Sequence, residues 1–426
     1  MILNRLLTRE EKVISQRNYN RYCAVNGMSY MCLGETVLIL FAVRLGCPDT
    51  VVAVLGAMIF FGFLLLPLGK WMTARVGAAR SQADFWICRN IAALLVAGAA
   101  PMAVYGSHIA AQAMIVLGAF LFYGFRAAGV VMSQPLVGEF CDPKEQGRFL
   151  SRSWFYFYSF GLLSLFTISV ILKFSSSVWV LCFIIVAGTL LGFTSAGFLR
   201  KVRETGQIQE SARKPMLDGL MPVLQNRVVI RQLLAGMVCN LGVILTVPIS
   251  MLALKRGYQA SDTQALLYFL VQLASAVAVS RVLSRVADRF GGRKLTLMAF
   301  YGFYVIALFW VVTPDKFFWP LLAIPFIFCP CGHTVAVTAL SQYFLRSVPK
   351  SQQVMASMVI SVGTGVVSGL LGMVCSSGLL KLSAIWSGSE GSLANYRLYF
   401  LMVIILLPVL SFFVHRLDKE SELESL

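Results

Sequence analysis

The chain has 426 residues, of which 58% are hydrophobic and only 13% are charged. Its mean hydropathy of +0.77 lies far outside the range of soluble globular proteins, so the composition indicates a polytopic membrane protein. The net charge of +17 does not indicate nucleic-acid binding, because most Lys and Arg residues lie between apolar segments on one side. This bias is the one that orients membrane helices, with the basic segments in the cytoplasm.

Twelve apolar segments are each long enough to cross a bilayer as a helix, which takes about 20 residues. The first six span residues 22–43, 51–68, 85–104, 109–136, 154–173 and 179–199. The second six span residues 233–254, 265–286, 295–312, 318–344, 355–379 and 398–414. Because lipid permits only helices or closed barrels, and these segments are too long and unbroken for strands, the predicted fold is all-α.

The polar segments divide the chain into two halves of six helices. Residues 201–226 form the only long polar stretch between spans, and we interpret them as a cytoplasmic linker. The predicted halves are therefore residues 1–200 and 227–426, with both termini in the cytoplasm. Residues 1–18 combine basic and apolar side chains, and we expect them to lie on the inner membrane surface as an amphipathic segment.

Cysteine spacing gives no sign of a metal site or a cofactor. The ten cysteines are scattered, and Cys329 and Cys331 form the only close pair. A tetrahedral metal site needs four ligands, which no neighbouring cluster supplies. The sequence also lacks a phosphate-binding loop for ATP. We therefore predict no metal, no cofactor and no enzymatic activity.

Two charged hairpins repeat at corresponding positions of the two halves. The sequence SRVADRFGGRK lies between the eighth and ninth spans, and a weaker copy, KWMTARVGAAR, lies between the second and third. Superimposing the copies aligns Gly77 with Gly291 and places Ala74 opposite Asp288. Repetition at matching places is far more specific than a single basic loop.

This pair of loops resembles the signature loop of the major facilitator superfamily, G-x-x-x-D-R-x-G-R-K. Ser284 stands in the place of the first glycine and Gly292 in the place of an arginine. The resemblance covers essentially the whole chain. It implies two pseudo-symmetric six-helix halves that move a small solute by alternating access.

The resemblance also implies a gating role for the two loops. In the family, the loop aspartate reaches the amino end of a helix in the opposite half. Asp288 is accordingly expected near residues 151–153, with Arg148 or Arg152 close by, while Ala74 has no carboxylate for the equivalent contact. The expected gating residues are Asp288, Arg289, Gly291, Arg293, Arg75 and Gly77.

Glu35 is the one carboxylate that lies deep within a predicted span. It lies about 13 residues, or roughly 20 Å, from the inner boundary of the membrane. Arg126 on helix four lies about 10 residues, or roughly 15 Å, from the same boundary, so the two depths allow contact.

In the family, helices one, four, seven and ten line the central cavity, and an arginine followed by glycine recurs on helix four of proton-linked members. Arg126 and Gly129 resemble that pattern. We expect Glu35 to couple protons and Arg126 to be its counter-charge or an anchor for an anionic solute; the alternative is a structural pair that only locks the bundle.

Other polar side chains within the spans are weaker candidates for substrate binding. His333 on helix ten could carry a proton or bind substrate, or it could be a packing residue. Further candidates, which could equally hold the helices together, are Asn26, Tyr156, Tyr158, Asn240 and Gln272. Arg89 and Asn90 lie near the inner boundary, and we expect Arg89 to snorkel or to pair with Asp84.

The predicted function is a proton-coupled secondary active transporter of a small organic solute, with a slight preference for an anionic or zwitterionic one. One alternative is a lipid or lysolipid translocator, or a drug exporter, on the same fold. Another is a non-transporting membrane sensor. The expected partners are a small-molecule substrate, protons and membrane lipids, without nucleic acid. We expect a monomer in a bacterial inner or plasma membrane.

Overall fold

The computed structural model describes residues 2–3, 5–175, 177–389 and 391–418. At a few helical positions, Glu35 among them, it describes the backbone but not the side chain. The chain forms two compact units. The first unit contains Met1–Asp142, Tyr156–Leu220 and Pro349–Met358, and the second contains Pro143–Phe155, Met221–Val348 and Val359–Leu426.

Helices make up almost all of the described chain. The helices before the linker are α1 (Arg9–Leu33), α2 (Glu35–Arg44), α3 (Asp49–Gly62), α4 (Leu66–Val76), α5 (Ala78–Ala97), α6 (Ala99–Tyr105), α7 (His108–Val130), α8 (Ser133–Phe140), α9 (Gln146–Phe174) and α10 (Val178–Leu199). The linker contains α11 (Gln207–Arg213) and α12 (Met216–Gln225). The remaining helices are α13 (Arg227–Leu252), α14 (Asp262–Val312), α15 (Trp319–Ser347), α16 (Gln353–Val362), α17 (Ser368–Ser387) and α18 (Leu393–His415). Two short strands, β1 (Ile2–Leu3) and β2 (Glu204–Thr205), pair in parallel.

Within the described ranges, ten helical segments are long and apolar enough to cross a membrane. One of them, Leu267–Val312, covers both the eighth and the ninth predicted spans. The second predicted span, 51–68, is helical too, but it is divided among α3, a 3-10 turn at Phe63–Leu65 and α4. All twelve predicted segments are therefore helical, in agreement with the predicted all-α fold.

Helix one is interrupted inside its predicted span. Gly34 has φ of −69° and ψ of 169°, an extended conformation that ends α1 and begins α2. Glu35 is the first residue of α2. The apolar pattern of the sequence does not show this break, because the hydropathy continues through Gly34 while the backbone hydrogen bonds do not.

The amino-terminal segment does not form a helix separate from the first span, and its position on the inner membrane surface stays a prediction. Residues from Arg9 onward already belong to α1, which a capping box of Thr8 and Glu11 begins. Glu11 pairs with both Arg5 and Arg203 at 2.8 Å. Acidic and basic side chains near the start of the chain therefore bind the linker, and α1 continues from there into the first span.

Each unit buries its own apolar core. In the first unit Phe41, Ile115 and Phe122 are fully buried in one cluster. In the second unit the rings of Trp310 and Phe400 stack with centroids 5.7 Å apart inside another cluster. These packed helices hold the polar side chains within the spans in fixed positions.

Candidate functional site: buried charges and the signature loops

Arg126 projects from the last turns of α7, four residues before the helix ends at Val130, and is half-buried. Its guanidinium lies over the ring of Tyr30 on α1, 4.9 Å from the centroid. No carboxylate among the side chains that the structure describes forms an ion pair with Arg126. The side chain of Glu35, its predicted partner, lies outside that described set. The Glu35 to Arg126 pair thus stays a prediction.

Arg89 on α5 is the second cation inside the first unit, with only 1% of its surface exposed. Its guanidinium donates to Asn26 Oδ1 at 3.3 Å, to Ser29 Oγ at 3.4 Å and to Asn90 Oδ1 at 3.2 Å. It also lies 4.8 Å from the ring centroid of Trp86. All of these partners are neutral. An arginine stays charged in a protein, so a positive charge is held here by amide, hydroxyl and aromatic groups alone.

The expectation that Arg89 snorkels or pairs with Asp84 is wrong. Asp84 instead pairs with Arg200 at 2.6 Å. Trp86, Arg89 and Asn90 are spaced three and four residues apart on one helical face. That spacing is a signal which sequence reasoning could have used to predict a buried polar face on helix three.

Asn26 is buried on α1 and belongs to the same cluster. Its Oδ1 accepts a hydrogen bond from the indole Nε1 of Trp86 at 2.9 Å, besides the one from Arg89. The side-chain oxygen of Asn26 is therefore engaged between helices. Arg89 also lies 5.4 Å from the ring centroid of Phe122, one helical turn before Arg126 on α7, so the two cations occupy one region of the first unit.

In the second unit, Asn240 contacts a widened turn of helix eleven, the span at residues 355–379 that comprises α16 and α17. Residues Gly363–Val367 form a π-helical turn between α16 and α17. Asn240 Nδ2 donates to the Thr364 carbonyl at 2.6 Å and to Ser368 Oγ at 2.7 Å. Such turns occur often at functional sites, but here the Asn240 amide is used to hold α13 against helix eleven.

Two of the remaining substrate candidates, His333 and Gln272, leave polar groups available. His333 on α15 is exposed and Gln272 on α14 is half-buried, and neither has a hydrogen-bond partner among the described residues. Tyr156 and Tyr158 are half-buried on α9. The structure therefore brings Asn26, Arg89 and Arg126 together in the first unit, whereas His333, Gln272 and Asn240 belong to the second unit.

The carboxylate of Asp288 binds the amino end of α9. Its Oδ1 accepts from the backbone N–H of Gly147 at 2.9 Å, and its Oδ2 accepts from that of Arg148 at 3.0 Å. Arg346 on α15 forms an ion pair with Oδ1 at 3.3 Å. Exposed N–H groups and the helix dipole favour a negative charge at this place. The contact is a few residues earlier than 151–153. Arg148 is close by, as expected, through its backbone N–H, and the paired cation is Arg346.

Both signature loops turn at a glycine with the same unusual backbone. Gly77 has φ of 87° and ψ of 170°, and Gly291 has φ of 74° and ψ of 161°. Positive φ favours glycine because it lacks a Cβ. This conformation explains why the repeat keeps glycine at that place when most of its other residues differ.

The arginines of the loops have different environments. Arg75 stacks on Trp71, with its guanidinium 3.9 Å from the ring centroid. Arg293 donates to the carbonyl of His415 at 3.0 Å. Arg289 is exposed and has no partner among the described residues. Among the described loop residues, Asp288 therefore binds the amino end of one helix and Arg293 the carboxyl end of another, α18.

Glu204 supplies a carboxylate at the first loop, where Ala74 has none. Its Oε2 accepts from the N–H of Ala78 at 2.8 Å and its Oε1 from that of Ala79 at 3.1 Å, at the start of α5. Burial raises the pKa of Glu204 to about 7, against the opposing effect of these two N–H donors. A carboxylate from the linker thus caps the amino end of α5, directly after Gly77. The sequence did not predict this contact.

Solved structures of transporters share this fold. The proton:xylose symporter XylE bound to 6-bromo-6-deoxy-D-glucose matches with a TM-score of 0.69 at 12% identity, covering 98% of this chain and 99% of that one. A bacterial homologue of the iron transporter ferroportin matches with a TM-score of 0.66 at 13% identity, covering 93% and 99%. The human organic anion transporter MFSD10 (TETRAN) matches with a TM-score of 0.65 at 14% identity, covering 93% and 99%. At these identities the likeness shows the fold alone.

At the level of amino-acid sequence, no curated protein matches the chain. The family model of the Major Facilitator Superfamily, however, matches residues 91–373. That match extends over both halves of the chain and includes α7, the second signature loop and most of helix eleven. Members of the family are transporters and not enzymes. The chain is an integral, multi-pass membrane protein that belongs to the Major Facilitator Superfamily.

Proposed function

We propose that this protein is a secondary active transporter that carries a small organic anion by alternating access, coupled to protons. The observation that carries the proposal is the pair of cations in the first unit. Arg89 and Arg126 lie near each other within membrane-spanning helices, because Arg89 contacts the ring of Phe122, one helical turn from Arg126. Neither arginine forms an ion pair with any described side chain. A charge in lipid is costly unless a partner offsets it, and a bound anion is such a partner.

The two arginines have different exposures, which gives them different roles. Arg126 is half-buried and stacked on Tyr30, so its free N–H groups can donate to a carboxylate. Arg89 is sealed among Asn26, Ser29 and Trp86, where it adds positive potential without touching the solute. This arrangement disfavours a cationic drug as substrate.

Proton coupling is assigned to Glu35, at the amino end of α2 beside the helix break at Gly34. Helix breaks in transporters commonly lie at binding sites in the middle of the membrane. A carboxylate near a cation can be ionised when the solute is absent and protonated when an anion competes for that cation. Proton and anion would then cross together.

Uptake into proteoliposomes tests the substrate class. We expect accumulation of labelled monocarboxylates or dicarboxylates when the outside is made acidic, and no accumulation of the corresponding neutral amides, of xylose or of tetraethylammonium. Empty liposomes and a collapsed pH gradient are the controls. Accumulation of tetraethylammonium or xylose, with no carboxylate transported, would reject the proposed substrate class.

A gating role for Asp288 is a second part of the proposal. The Asp288→Asn substitution removes the charge that holds Arg346 and weakens the cap on α9. An ion pair of this partial exposure contributes about 1 kcal/mol, so we expect an approximately fivefold shift in the conformational equilibrium toward the state open on the loop side. The measurement is the rate at which maleimide modifies a cysteine introduced at the buried Ser341.

Arg285→Gln is the matched control for this test. Arg285 lies on the same loop, is exposed and has no partner among the described residues. The rate should rise in Asp288→Asn and stay at the parent value in Arg285→Gln. Equal rates in the two variants would mean that Asp288 is a structural cap without a gating role.

A further inference from the structure

The linker helix α12 exposes an apolar surface although it lies outside the ten membrane-spanning segments. Met216, Met221 and Leu224 have 48%, 62% and 44% of their surfaces exposed. Leu220 is half-buried beside them. Exposed side chains of this size are ordinary on a helix that contacts lipid, but a helix that faces water rarely groups them together.

These four residues occupy one side of α12. At 100° per residue they fall within an arc of about 140°. The helix contacts the rest of the protein through a different and narrower side, where Val223 is fully buried and Gly219 faces Met355. Asp218 and Gln225 lie outside the apolar arc. The helix is therefore packed along one stripe, and no described residue covers its broad apolar side.

Cations flank this apolar side at both ends of the helix. Arg213 and Lys214 precede α12, Arg227 follows it, and all three are exposed. Asp218 is the only acidic residue in the helix. After Asn226 the chain enters α13, which crosses the membrane from Arg227. The apolar side thus directly precedes a membrane-spanning helix in the chain, and the flanking cations are complementary to anionic lipid headgroups.

We propose that α12 is an interfacial helix that docks on anionic phospholipids. Its apolar arc enters the boundary between headgroups and acyl chains, and Lys214 and Arg227 bind the phosphates. The lipid surface is the occupant because the helix joins directly to a membrane span and carries basic residues at both ends. Docking ties the linker to the bilayer, whatever solute the protein transports.

Site-directed spin labelling of the full-length protein tests this proposal. The exposed Cys375 is replaced by serine, and nitroxide labels are attached to Met221→Cys and, as the matched control, to Asp218→Cys. The protein is placed in nanodiscs of equal parts phosphatidylcholine and phosphatidylglycerol. The measured quantity is the collision rate with oxygen divided by that with a neutral, water-soluble nickel chelate. We expect this ratio at Met221→Cys to be at least about threefold the ratio at Asp218→Cys.

A double variant, Lys214→Gln combined with Arg227→Gln, tests whether docking depends on the flanking cations. Each lost cation weakens binding to an anionic surface about fivefold, so the ratio at Met221→Cys should fall toward that at Asp218→Cys. Nanodiscs of phosphatidylcholine alone should give the same fall. Equal ratios at the two labelled sites would overturn the docking. A high ratio that changes neither with lipid charge nor in the double variant would show insertion without any role for anionic headgroups, and would overturn the proposal too.

Discussion

Arg126→Ala is expected to lower anion uptake by about 100-fold, which is the loss of 2 to 3 kcal/mol that removal of a charge-assisted hydrogen-bonding partner causes. The guanidinium has free N–H groups and no described acidic partner, so its removal takes away the anchor for the carboxylate. It also leaves Glu35 without a cation at matching depth. The measurement is the initial rate of labelled carboxylate uptake in proteoliposomes, normalised to the amount of reconstituted protein.

Three further variants separate binding by Arg126 from a general effect on folding. Arg126→Lys keeps the charge and should retain part of the uptake. Tyr30→Leu removes the aromatic ring beneath the guanidinium and should lower uptake about fivefold, the size of a partly buried cation–π interaction. Arg80→Ala alters an exposed arginine without a described partner and should leave uptake unchanged. Uptake in Arg126→Ala that equals the Arg80→Ala rate would exclude Arg126 as the anchor.

Glu35→Gln is expected to abolish accumulation driven by a pH gradient while preserving exchange of solute across the membrane. Glutamine resembles the protonated carboxyl group in size and charge, so the variant can reorient but cannot release a proton. The two activities are measured on the same proteoliposomes, first with an imposed gradient and then with unlabelled solute inside. Loss of accumulation with exchange intact is the result that distinguishes coupling from binding.

Glu10→Gln is the control for this substitution, because Glu10 is exposed at the start of α1, far in sequence from the span centre. It should transport as the parent protein does. If Glu35→Gln still accumulates solute in response to the gradient, Glu35 is a structural residue and the coupling assignment is wrong. If both accumulation and exchange disappear, Glu35 is required for binding or for reorientation, which also contradicts a pure coupling role.

The sequence by itself determined the membrane class, the twelve helical segments and the family. These properties follow from hydropathy over about 20 residues and from a motif repeated in both halves, and both are local in the chain. The positive φ at Gly77 and Gly291 gives the reason why the repeat was visible. At those two places only glycine adopts the backbone without strain, so the residue marks the turn.

Only the tertiary structure decided which polar side chains already form hydrogen bonds within the protein, and which groups are their partners. Asn26 binds Trp86 and Arg89, and Asn240 binds helix eleven, because helices distant in sequence pack their faces together. The carboxylate of Glu204 lies at the first signature loop, where Ala74 has none, although the two residues are 130 positions apart in the chain. Periodicity predicts that a residue lies on a helix, but the hydrogen-bond partner of a buried group depends on which helices meet, and that is fixed by long-range packing.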